Sequence, residues 1–83
     1  MARGLNGWSY KDVVAFLRDH EFFFSHPKFG SHEAWVRIDP GGKQFVVEVN
    51  FLQGGKTYPT LTLLTMIRQS GVDRKEWRQW VSR

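Results

Sequence analysis

The chain has no cysteine, which excludes a disulfide staple and any zinc site built on thiolates, and which fits a reducing compartment. Long apolar runs are missing as well. Nowhere do the roughly 20 consecutive apolar residues of a membrane-spanning helix occur. The N-terminal segment around Arg3 also lacks the apolar core of about 7–15 residues that marks a secretory signal. A soluble, cytoplasmic protein with no membrane partner is expected. There is no internal repeat, low-complexity tract or long linker. The 83 residues therefore read as one small domain, 1–83, with a core over about 9–72 and a C-terminal helix over about 73–82. Negative charge is the scarcer sign, with 8 acidic residues against 12 Lys and Arg and a formal net charge of +4. That balance favours an anionic partner such as nucleic acid.

Local signals order what is present. Ser9 is placed as an N-cap with Asp12 three residues on, and Trp8 is placed to staple onto Val13. A helix from about Tyr10 to His20 follows, with Val13, Val14, Phe16 and Leu17 as its apolar stripe. Phe22, Phe23 and Phe24 read as a short strand. The segment His26-Pro27-Lys28-Phe29-Gly30 reads as a basic loop, because proline and glycine both interrupt regular structure. From Ala34 to Asp39 the pattern alternates, with Ala34, Val36 and Ile38 on one face and Trp35, Arg37 and Asp39 on the other. Pro40-Gly41-Gly42-Lys43 closes a hairpin, and Phe45, Val47 and Val49 in the returning strand oppose Gln44, Val46 and Glu48. The apolar faces are assigned to the helices, which aims Trp35 outward as a partner surface. Gln53-Gly54-Gly55-Lys56 forms a loop. Pro59-Thr60 opens a second helix with Leu63, Leu64 and Ile67 inward, and Gly71 ends it as a left-handed cap. Asp73 and Glu76 then start a third helix carrying Trp77, Trp80 and Val81.

The tripeptide Gly30-Ser31-His32 concentrates the chemistry. Histidine changes charge near neutral pH and serves as acid or base, and the glycine lets a backbone or phosphate come close. RNA is cleaved without metal when a base removes the 2′-hydroxyl proton and a cation steadies the phosphorane, so Lys28, Arg37 and Lys56 are the candidate cations. The other reading of His32 is a packed or hydrogen-bonded residue at a strand edge. His20 and His26 are assigned to surface or loop, and His20, His26 and His32 have no recognisable metal-ligand spacing.

Lys11-Asp12-Val13-Val14-Ala15-Phe16-Leu17, Gly30-Ser31-His32, the hairpin strand ending near Val49, and Thr60-Leu61 through Ile67-Arg68-Gln69-Ser70-Gly71 resemble, in order and spacing, the HicA toxin family over about residues 10–72. The resemblance implies an α+β, double-stranded-RNA-binding-domain-like fold: a three-stranded antiparallel sheet packed by helices on one face, α-β-β-β-α, here with an extra C-terminal helix. It implies a toxin-type endoribonuclease acting on messenger RNA without metal or other cofactor and neutralised by a HicB-like antitoxin. His32 would be the catalytic residue. Gly30 and Ser31 would complete its motif at the RNA; on the residues' own chemistry Lys28, Arg37 and Lys56 would contact RNA as cations, and Trp35, aimed outward by alternation, would contact the antitoxin. Two departures are visible: Glu21 stands where the family commonly has glycine after its first helix, and Asn50-Phe51-Leu52-Gln53 stands where relatives often place histidine, proline and lysine. A non-catalytic RNA-binding module and a pure protein-interaction domain are the alternatives.

Overall fold

The computed structural model describes residues 4–28 and 30–80; Phe29 of the expected loop and Val81 of the expected third helix lie outside the described residues. The elements run α1 Tyr10–Asp19, β1 Phe23–Pro27, β2 His32–Ile38, β3 Gln44–Asn50, α2 Thr60–Ser70 and α3 Arg74–Trp80. The strands form one antiparallel sheet in the order β1-β2-β3.

The caps explain where the helices begin and end. At α1 the Ser9 N–H donates to Asp12 Oδ2 at 2.9 Å and the Asp12 N–H to Ser9 Oγ at 3.3 Å, a reciprocal box that satisfies two end donors. Gly71 ends α2 at φ 70°, a conformation that strains any residue with a Cβ. A Cβ there would also meet the Phe45 ring at 2.3 Å. Asp73 Oδ1 accepts from the Lys75 N–H at 2.8 Å as α3 starts. The chain then returns to α1. Trp77 stacks on Phe16 at 3.9 Å between ring centroids and packs beside Trp8 at 5.3 Å, and both tryptophans are fully buried.

The hairpin register decides which face of the sheet the helices cover: it keeps Phe45, Val47 and Val49 of β3 inward as expected and reverses the expectation for β2. Glu33, Trp35 and Arg37 oppose Val49, Val47 and Phe45. Trp35, Val47 and Val49 join the helices in the main core. Trp35 is 2% exposed. It has Phe24 at its edge, the Arg18 guanidinium over its ring, and its Nε1 donating to Glu33. Trp35 is therefore a core residue and not an outward docking side chain. The opposite face carries His32, Ala34, Val36 and Ile38, paired with Asn50, Glu48, Val46 and Gln44. Alternation did not settle the matter because Ala34, Trp35 and Val36 are three apolar residues in a row, compatible with either face.

Two further expectations change. The strand β1 runs through His26 and Pro27, which were assigned to a loop. Proline is tolerated because β1 is an edge strand and the Lys28 N–H is the one turned inward, to the His32 carbonyl at 2.8 Å, so the missing N–H of Pro27 falls on the outer side. In α2 the inward residues are Leu63, Met66, Ile67 and Ser70, and Leu64 is only half-buried. That helix lies along the outer edge of β3, where Gln69 Oε1 accepts from the Glu48 N–H at 3.0 Å. One edge of the sheet is thus covered, and the other is blunted by proline and a bulge.

Candidate active site

His32 opens β2 immediately after a tight turn, and the residues around it come from three elements. The turn is held by Lys28 N–H to the His32 carbonyl and by Phe51 N–H to the Ser31 carbonyl, each at 2.8 Å. Gly30 adopts φ 68° with open space around the position of a Cβ, so backbone conformation and not crowding calls for glycine. The Ser31 hydroxyl donates to Asn50 Oδ1 on β3, which pins the turn to the neighbouring strand.

The imidazole faces Glu48. His32 Nδ1 lies 2.9 Å from Glu48 Oε2, and Lys28 Nζ lies 3.7 Å from Glu48 Oε1. Both carboxylate contacts are at side chains about two-fifths exposed, where charge is screened by water and pairing contributes little to stability. The His32 Nδ1 atom itself is shielded from solvent. Together His32, Glu48 and Asn50 form one wall of a groove of about 270 Å³ whose other wall is α2, with Thr62, Thr65 and Gln69. The arrangement can take up or release a proton at the imidazole beside an anchored carboxylate and a primary amine, next to a cleft open to solvent.

Of the sequence-predicted residues, the structure gathers Lys28, Gly30, Ser31 and His32 and separates the rest. Arg37 is five residues along β2 from His32, about 17 Å at strand rise, and on the opposite face. Its guanidinium lies over Phe45 at 4.4 Å and Phe22 at 5.4 Å, beside a depression lined by Asp19, His20 and Glu21. It does not share a phosphate with His32. Lys56 is exposed in the loop before Thr57, which bridges to Ser9 at the start of α1, and it does not line the His32 groove. His20 is tied to the core: it stacks on Phe16 at 3.9 Å and its Nδ1 is 2.9 Å from the Phe16 carbonyl. Among the described residues no three His, Asp or Glu side chains are grouped to hold a metal ion.

Glu48 was not identified from sequence. Its signal was present in the spacing, since the short Pro-Gly-Gly turn fixes the pairing that sets Glu48 opposite Ala34 and next to His32. On the covered face a second carboxylate is used differently. Glu33 Oε1 accepts from the Tyr10 hydroxyl at 2.8 Å and from Trp35 Nε1 at 2.9 Å. Burial and that hydrogen bond push the Tyr10 phenol up to about 12. Burial likewise raises Tyr58, whose hydroxyl donates to the Asn50 carbonyl at 2.6 Å.

No family model, curated protein or solved structure matches this chain.

Proposed function

We propose that the protein is an endoribonuclease of the HicA type, acting on messenger RNA through His32 and neutralised by a HicB-like antitoxin. The observation that carries this reading is the groove lined by His32 and Glu48, with Lys28 paired to the same carboxylate, next to the Gly30-Ser31 turn. The element order of a helix, three antiparallel strands and a helix, extended by α3, supports the double-stranded-RNA-binding-domain-like fold that the resemblance implies.

The chemistry asked of these groups is modest and specific. With Nδ1 turned to Glu48, the ring exchanges protons with substrate through Nε2. Lys28, paired to the same carboxylate as His32, is the nearby cation that would offset charge on a phosphate beside the imidazole. The Gly30-Ser31 turn sets the approach of the RNA backbone. The antitoxin would dock without Trp35.

The deciding measurement is cleavage of a long single-stranded RNA, with chelator present, by the wild type and by a folded His32→Ala variant. Cleavage by the wild type alone is expected, with RNA binding retained by the variant. RNA binding that falls with salt, without cleavage by either protein, would replace this reading with a non-catalytic RNA-binding module.

A further inference from the structure

The bulge in β1 has a directional consequence. Phe24 lies on the helix side of the sheet, edge-on to Trp35 at 5.8 Å. Strict alternation from Phe24 would return His26 to that same side. Instead the register shifts between Phe24 and His26, the extra residue Ser25 is absorbed, and His26 stands opposite Ala34, on the open face. Bulges re-aim side chains in this way next to active sites.

On that face His26 is the diagonal neighbour of His32, since Ala34 is two residues along β2 from His32. Diagonal neighbours on antiparallel strands stand about 7–8 Å apart, enough to admit a phosphate between two imidazoles. His26 Nδ1 is 3.0 Å from Ser25 Oγ, and His32 Nδ1 is 2.9 Å from Glu48 Oε2. The charged groups facing this pair are Lys28, just after β1, and Glu48 on β3. The groove lies on the β3 side of His32, where α2 contributes Thr62, Thr65 and Gln69, none of which titrates, and His26 stands on the β1 side of the same ring.

We infer that His26 is a second catalytic residue, the general acid that complements His32 as general base; the inference rests on the ribonuclease reading above. His32 Nε2 takes the proton from a ribose 2′-hydroxyl. The 2′-oxygen forms a bond to phosphorus as the bond from phosphorus to the 5′-oxygen breaks, and His26 Nε2 gives its proton to that departing oxygen. The products are a 2′,3′-cyclic phosphate and a free 5′-hydroxyl, with one proton removed and one delivered. With His32 taken as the base in the reading above, Nδ1 toward Glu48 and Nε2 toward substrate, the second proton transfer is left to His26.

The test is single-turnover cleavage by wild type, His26→Ala and His32→Ala on two single-stranded RNAs. One is ordinary RNA, and the other has sulfur in place of the scissile 5′-oxygen, a leaving group that needs no proton. His26→Ala is expected to cut ordinary RNA about 10²–10⁴-fold more slowly, with binding unchanged, and to regain most of its rate on the sulfur substrate. It should also lose the fall in rate on the alkaline side of the wild-type pH profile. His32→Ala should stay slow on both substrates. Wild-type cleavage rates in His26→Ala, or equal slowing on both RNAs, would overturn the assignment of His26 while leaving His32 in place. Absence of RNA cleavage by the wild type would instead remove the ribonuclease reading and this inference with it.

Discussion

Glu33 and Glu48 sit on neighbouring strands of one sheet and on opposite faces. Glu33 lies under the helices, where one oxygen accepts from Tyr10 and from Trp35 and so ties α1 to β2. Glu48 lies on the other face beside His32 and Lys28, with two-fifths of its side chain exposed. A carboxylate used for structure is thus engaged by two fixed donors in a part-buried site. A carboxylate available for chemistry stands beside groups that can change charge, in reach of solvent. The residue type is the same and the face decides its work.

The strongest way to break the covered face is to empty it. Trp35→Ala removes a nearly fully buried indole and should cost about 3–5 kcal/mol, measured by urea denaturation. If Trp35 were a docking residue instead, stability would barely change. The carboxylates themselves come next. Glu33→Ala leaves the Trp35 indole N–H and the part-buried Tyr10 hydroxyl without their acceptor and should cost about 1–3 kcal/mol, whereas Glu48→Ala should fall within about 0.5 kcal/mol of wild type and lower RNA cleavage. Equal stability losses for the two would erase the contrast drawn here.

Alkaline titration sharpens the same contrast. The chain has two tyrosines, both with phenols raised by burial. A raised phenol means that the folded state holds its proton more tightly than the unfolded chain, so the associated stability is complete below about pH 10 and is lost as pH rises. For Tyr10 the loss should run from about pH 10 to about pH 12. Phenolate absorbance should therefore rise late and together with unfolding, and Glu33→Ala should advance the Tyr10 part. An ordinary, non-cooperative tyrosine titration would contradict the packing of this face.

The smallest effect expected is a gain. Glu21 follows α1 at φ 68°, the left-handed region that favours glycine. It is exposed. Glu21→Gly should raise stability by about 0.5–1 kcal/mol, because relief of the backbone exceeds the added freedom of the unfolded chain. An unchanged or lower denaturation midpoint would mean that the glutamate side chain contributes something local that outweighs the strain.

Much of the architecture was legible because it is written in neighbouring residues. The Ser9-Asp12 box, the Pro40-Gly41-Gly42 turn and the Gly71 cap each act over four residues or fewer, and each stands where the sequence places it. The element order follows from them. His32 and its turn companions Lys28, Gly30 and Ser31 were legible for the same reason: they are consecutive or nearly so. Arg37 and Lys56 were not separable from them, because a cation's neighbours depend on which strand face and which loop it occupies.

By itself, the sequence determined the helices, the turns, the three strands and the histidine at the mouth of β2. Only the tertiary structure decided which side of the sheet is covered, that Trp35 is core, that Glu48 meets His32, and that the Ser25 bulge turns His26 to the open face. The physical reason is the period of two in a strand. A run with apolar residues at both parities leaves its facing undetermined, and one residue of slip or one bulge exchanges every side chain between core and solvent.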